Sequence, residues 1–321
     1  MTGNRSGGSR GEPVDWRSGL PRSERYGDVY HSASGALAQA RHVFLAGCGL
    51  PQAWAGRQSW TVLETGFGLA TNFLATWLAW RRDPERPQTL CFVTFEAHLV
   101  SPDDIRRAAA ATPAFRELAD ALADHLVGLV ADPLVAPVAD SLVDPVADHP
   151  VDPVAYHPVG PVADPLPAVI DGSPAAGAAL RRLRFESGRV ELRIHEGDAA
   201  AVLATLGGGS ARPAVDSVFL DGFSPARNPA IWSDAVFAAI AALLNPGARL
   251  ATWTVAGTVR RTLVRHGFTV AWRPGLPPKR ECLVAWRESP DITDRSTSGE
   301  DNETGSRPSS APSTIDGRGC E

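Results

Sequence analysis

Short apolar runs of strand type alternate with helical spacing through most of this 321-residue chain, and that alternation narrows the fold more than any other feature. The strand pattern predicts strands over residues 60–64, 90–96, 190–195, 217–221, 249–254, 269–273 and 281–286. Helical spacing predicts helices over 70–82, 102–111 with 113–126, 199–206, 229–244 and 256–266. Strands separated by helices form a parallel sheet covered on both faces. The last two strands have no helix between them. They are joined by "PGLPP" and are expected to form an antiparallel hairpin at one end of the sheet.

Hydrophobic residues make up 44% of the chain, enough for a sizeable core. The formal net charge is −5, so the molecule as a whole is not a polycation, and nucleic acid would have to meet a local basic patch. Four cysteines (Cys48, Cys91, Cys282 and Cys320) are scattered without metal-ligand spacing, as expected of incidental thiols in a reducing compartment. No apolar run reaches the ~18 residues of a membrane span, and "MTGNRSGGSRGEP" lacks the apolar core of a secretory signal. The expectation is a cytoplasmic protein with no membrane partner.

Three segments lack core-forming character. Residues 1–12 and 288–321 are polar and rich in Gly, Ser, Thr, Asp or Pro, and are expected to be disordered. Between them, residues 128–167 divide into octads: GLVADPLV, APVADSLV, DPVADHPV, DPVAYHPV and GPVADPLP. Proline removes an amide donor and biases the preceding residue away from helix, so neither a helix nor a central strand survives there. Residues 128–179 are read as a low-complexity insertion into a domain spanning 13–287. His149 and His157 stand one octad apart near Asp148 and Asp152. A solvated loop accounts for them without a metal.

The first strand runs into Glu64-Thr65-Gly66-Phe67-Gly68 and then a helix. Glycines at that turn allow a ligand to approach the backbone closely. No third glycine follows, and an acid before the loop repels a pyrophosphate but attracts an ammonium group. That favours S-adenosylmethionine over a dinucleotide. Glu96 ends the second strand, where a carboxylate can accept both ribose hydroxyls. Asp198 opens the helix after the third strand; it can cap that helix, accept from an adenine amine, or both. The fourth strand leads into "LDGFSPARNPAIW". There Asp221 is placed to orient an amine and take its proton, and Asn228 to hold a polar edge of a substrate or to cap the helix that begins at Pro229. Arg249, Arg260, Arg261, Arg265, Arg273, Lys279, Arg280 and Arg287 oppose only Glu281 over residues 245–287, a local basic patch suited to phosphates. Trp16, Trp54, Trp60 and Trp232 are read as core residues.

A mostly parallel seven-stranded α/β sheet with a terminal hairpin is the Rossmann-like architecture of class I methyltransferases. Beyond that architecture, the chain resembles the methyltransferase domain of the MnmC family, which completes 5-methylaminomethyl-2-thiouridine at the tRNA wobble position. The resemblance rests on "PRSERYGDVYHS", "ETGFGLATNFL", "FEAH", "GDA", "LDGFSPARNPAIW", "PGARLATWTVAGTVRRTLVRHGF" and "KRECLVAW". They occur in the family's order and cover about residues 13–127 and 180–287.

The resemblance implies methyl transfer from S-adenosylmethionine to the amine of 5-aminomethyl-2-thiouridine in tRNA. Glu64, Gly66, Phe67, Gly68 and Asn72 would surround the methionine part of the cofactor, Glu96 the ribose and Asp198 the adenine. Asp221 and Phe223 would lie at the acceptor under Tyr30, and Lys279 and Arg280 would meet the anticodon backbone. Many relatives carry a C-terminal FAD-dependent oxidase. The polar tail of this chain is not expected to form such a domain, so the chain is expected to carry out methylation alone, with a separate oxidase as pathway partner. Where the family has glycine, the cofactor loop has Ala70, which is expected to narrow the loop. A relative that binds tRNA without methylating it, or a small-amine transferase of polyamine type, remains an alternative reading.

Overall fold

A computed structural model describes residues 11–130, 179–206 and 214–287. The octads beyond Val130, residues 1–10 and the tail from 288 lie outside the described residues. Two short strands, β1 (Val14–Asp15) and β2 (Arg22–Ser23), pair antiparallel and precede helix α1 (Ala36–Gln39). This helix continues as a π-helical segment over Ala40–Leu45. Then follow β3 (Ser59–Glu64), α2 (Thr71–Arg82), β4 (Thr89–Glu96), α3 (Pro102–Ala110) and α4 (Arg116–Val130). After the undescribed stretch come β5 (Ala179–Phe185), β6 (Val190–Glu196), α5 (Ala199–Leu206) and β7 (Val215–Phe219). The chain closes with α6 (Asp234–Ala242), β8 (Leu244–Thr252), α7 (Gly257–Arg265), β9 (Thr269–Pro274) and β10 (Glu281–Trp286).

Eight strands form one sheet in the order β5-β6-β4-β3-β7-β8-β10-β9. The central five, β6 to β8, are parallel; β10 runs antiparallel to both β8 and β9. All seven expected strands are present, and the terminal hairpin forms as read. The eighth, β5, pairs antiparallel at the other edge. Its buried Leu183 and Phe185 alternate with exposed Arg182 and Arg184, the period-2 signature of a half-buried strand.

Alternation along each strand feeds two cores. Val62, Phe92, Phe219 and Ala251 pack on the face that carries α2 to α4, while Leu63, Val93, Val218 and Leu250 pack under α5 to α7. The predicted helix over 229–244 breaks. Ala230–Trp232 makes a 3₁₀ turn, Ser233 is extended (φ −73°, ψ 155°), and α6 starts afterwards. The Trp232 indole donates to the Phe223 carbonyl at 2.8 Å, tying the turn to the preceding loop instead of to the helix. Residue 244 already belongs to β8, which starts five residues earlier than expected.

Chain order reverses between β3 and β7: strands added after β3 extend one way, and β7 and β8 extend the other. The loops leaving these two strands diverge at the carboxyl edge and leave a crevice, where ligands bind in open α/β sheets.

Candidate active site

The two loops are laced together at their base. Thr65 Oγ1 donates to the Asp221 carbonyl at 2.6 Å and accepts from the Asp221 amide at 3.0 Å. Above them opens a cavity of about 930 Å³, at the upper end of the usual range for small-molecule sites. Gly66, Phe67, Gly68, Asn72, Glu96, Asp198, Asp221, Phe223, Asn228, Tyr30 and Lys279 all line it. Residues from five strand ends and the N-terminal segment thus converge on one space.

Glu64 is the exception. It is 1% exposed and does not reach the cavity. Asn72 Nδ2 donates to its Oε1 at 2.8 Å and Thr94 Oγ1 to its Oε2 at 3.0 Å. The expected contact of Glu64 with the cofactor is therefore corrected: the side chain lies below the loop and holds Asn72. The same Asn72 amide nitrogen donates to Asp221 Oδ2 at 2.7 Å. Burial, with Asp221 nearby, raises the Glu64 carboxyl well above its ordinary value. Burial also pushes Asp221 up to about 6, against the Gly222 amide, Asn72, Trp253 and Lys279, which lower it.

The other acids line the cavity. Glu96 accepts from the Gly68 amide at 3.0 Å and the His98 amide at 2.9 Å, and burial raises its carboxyl. Asp198 caps α5 by accepting from the Ala201 amide at 2.9 Å, as one of its two expected roles requires, and it also lines the cavity. Asn228 is on the wall, but the α6 start it was expected to cap lies further on, at Ser233.

Tyr26 stacks on Phe223 (ring centroids 4.7 Å apart) and Tyr30 meets the same ring edge-on at 5.1 Å. Asp28 between them accepts from the Ser224 amide at 3.0 Å, which ties this strap to the loop after β7. Tyr26, Asp28 and Trp253 were not singled out from the sequence. "GDVYHS" was the signal for Asp28, but nothing in the chain order announced its partner 196 residues away. Lys279 was expected at the anticodon backbone; it is exposed but lines the cavity, with its Nζ 3.3 Å from the centre of the Trp253 ring, and the expectation is corrected. Arg280 is exposed and does not line the cavity.

Ala70 is fully buried and absent from the cavity wall, so the expected narrowing of the cofactor loop is corrected. Its backbone is left-handed (φ 61°, ψ 13°). The methyl group packs into the core, and the substitution is felt as backbone strain.

A nucleoside with a sulfonium amino-acid tail fits these walls. A Cβ on Gly68 would stand 3.2 Å from the Tyr30 ring, and one on Gly66 would stand 3.3 Å from the Asp221 carbonyl, so glycine keeps this floor open. The Tyr30 hydroxyl is buried with no hydrogen-bond partner among the described residues; a buried polar group in that state calls for a ligand or water. Among the described residues, no group of three or more His, Cys, Asp or Glu side chains is placed to hold a metal, and no helix is long and apolar enough to cross a membrane.

Fold, cavity and comparison agree on the class. Residues 166–288 match the family described as S-adenosyl-L-methionine-dependent methyltransferase. Over these residues the chain is similar to that family, and S-adenosyl-L-methionine is its methyl donor. Within the class its relatives are the MnmC proteins. It is 44% identical over 275 residues to the "tRNA 5-methylaminomethyl-2-thiouridine biosynthesis bifunctional protein MnmC" of Paracidovorax citrulli (strain AAC00-1), covering 85% of this chain and 35% of that protein. It is 42% identical, with the same coverages, to the protein of that name from Delftia acidovorans (strain DSM 14801 / SPH-1). The chain thus spans about a third of the length of these relatives. The solved structure of MNMC2 from Aquifex aeolicus shares its fold, with a TM-score of 0.56 at 20% identity over 88% of this chain and 73% of that one.

Proposed function

We propose that the chain methylates the primary amine of 5-aminomethyl-2-thiouridine at the tRNA wobble position, giving 5-methylaminomethyl-2-thiouridine. The observation that carries this reading is the placement of the Asp221 carboxylate, against the aromatic group Tyr26, Tyr30 and Phe223, in the same cavity as the Gly66–Gly68 floor. The printed name of the relatives supplies the nucleoside.

S-adenosylmethionine supplies an electrophilic methyl group on a sulfonium. In this reading Glu96 holds its ribose, Asp198 its adenine end, and Gly66, Phe67, Gly68 and Asn72 its methionine part. Asp221 accepts a hydrogen bond from the acceptor amine and aims its lone pair at the methyl carbon. Asp221 takes the proton that the amine gives up on methylation. Tyr30 and Phe223 exclude water and fix the approach. Asn228 holds a polar edge of the base, and Arg280 meets backbone phosphate. A cytoplasmic location completes the proposal.

The test is to incubate the purified chain with S-adenosylmethionine and tRNA bearing 5-aminomethyl-2-thiouridine, then digest the tRNA and weigh its nucleosides. The expected product is heavier by one methylene. Cofactor binding by calorimetry without any such product would overturn the substrate assignment.

A further inference from the structure

The loop between β9 and β10 is a tight hairpin. Gly275 N donates to the Arg280 carbonyl and Lys279 N to the Leu276 carbonyl, both at 2.8 Å. The geometry fixes where Lys279 can go: its ammonium lies 3.3 Å from the centre of the Trp253 ring, which holds a cation by its face. Trp253, Lys279 and Asp221 line the same cavity. The ammonium and the carboxyl proposed to hold the acceptor amine therefore face one space.

No carboxylate claims Lys279 as a direct ion pair among the described residues. The charged groups facing it are Asp28 from the N-terminal strap and Asp221 from the loop after β7; Arg280 and Glu281 flank it on its own hairpin. Asp28 is already bonded to the amides of Val29 and Ser224, at 2.9 and 3.0 Å. Asp221 is bonded to Gly222 N at 2.8 Å and to Asn72 at 2.7 Å. Neither acid needs the lysine for its hydrogen bonds. Tyr26 and Tyr30 in the same wall stay neutral, because burial raises both phenols. Lys279 is thus a cation held beside the acceptor site without being consumed by it.

We propose that Lys279 is a positioning residue whose charge keeps the acceptor amine unprotonated. The inference rests on the amine-methylating reading above. An aliphatic amine at neutral pH is mostly ammonium, which has no lone pair to attack with. A fixed positive charge nearby opposes the full charge of that ammonium. It opposes the partial charge on nitrogen in the transition state less. The neutral nucleophile is therefore enriched by more than its attack is slowed. The same charge keeps Asp221 ionised and ready to receive the proton.

The experiment is the pH–rate profile of methyl transfer to 5-aminomethyl-2-thiouridine tRNA by the wild-type chain and by Lys279→Met, Lys279→Gln and Lys279→Arg. The neutral variants should need a pH higher by about one unit to reach the same rate, a shift typical of removing a nearby like charge. They should match or exceed the wild-type rate in alkaline buffer and keep the wild-type KM for tRNA. Lys279→Arg should restore the wild-type profile. A loss by the same factor at every pH, a raised KM with an unmoved profile, or no change at all would overturn the proposal. A wild-type chain that methylates no such tRNA would instead sink the function on which it rests.

Discussion

One amide, that of Asn72, restrains two acids, and this sets the residue-scale chemistry of the site. Glu64 is enclosed and raised, and Asp221 at about 6 titrates just below neutrality. As a base, Asp221 must be ionised, so kcat/KM should fall steeply as pH drops through about 6. Asp221→Asn should lower turnover by about 100-fold or more and abolish that limb, a loss in the range found for general bases. Unchanged turnover would remove Asp221 from the mechanism. The stability sign is opposite. A carboxyl raised in the folded state favours folding while it is protonated, and that stability is lost as pH rises from about 4 to 6. Function here costs stability. Ala70→Gly should stabilise the fold by about 1 kcal/mol by relieving the left-handed alanine, with turnover unchanged. Denaturant melts and initial rates check both halves. At this scale the residue types were legible, but their directions were not. Glu64 and Asp221 both follow a strand in the sequence; only the register of β3 against α2 and β4 shows that one faces the core.

Among the elements, β5 decides how well one edge of the sheet is closed. Phe185 lies against Trp77 with centroids 4.4 Å apart and Phe73 at 6.0 Å. Phe185→Ala should cost about 3–5 kcal/mol, the usual range for emptying a packed aromatic position. A loss under 1 kcal/mol in urea melts would show that β5 does not support the core. On β6, Glu191 is fully buried and bonded by Arg193 at 2.5 Å and Arg184 at 2.9 Å. Removing Arg193 leaves the buried Glu191 with only the largely exposed Arg184, so Arg193→Met should destabilise by about 3 kcal/mol. "ALRRLRF" follows the octads directly and is heavy in arginine, so its strand character is hard to read from sequence. Its alternation of apolar and charged residues was present in the sequence. The break at Ser233 was not: proline at 229 and an apolar run predict one helix, and the competing bond from Trp232 to Phe223 exists only once the loop has folded back.

For the molecule as a whole, acid should act partly through the sheet. His195 is buried against Phe95, its Nε2 unpartnered among the described residues, and burial, with Arg193 and Arg182 nearby, lowers it to about 4. The unfolded chain binds that proton first, so stability is lost as pH falls from 6.5 to about 4, by roughly 3 kcal/mol. His195→Phe should flatten the unfolding free energy over that window, as read from urea melts at a series of pH values. The sequence by itself determined the layered α/β sheet, its reversed terminal strand and the acids at strand ends, because period and turn chemistry are local properties of the chain. Only the tertiary structure decided which acids share the cavity, that Lys279 faces inward over Trp253, and that Ala70 points to the core. Those outcomes depend on strand order and on which face each side chain takes, and both are fixed by contacts between segments far apart in the sequence.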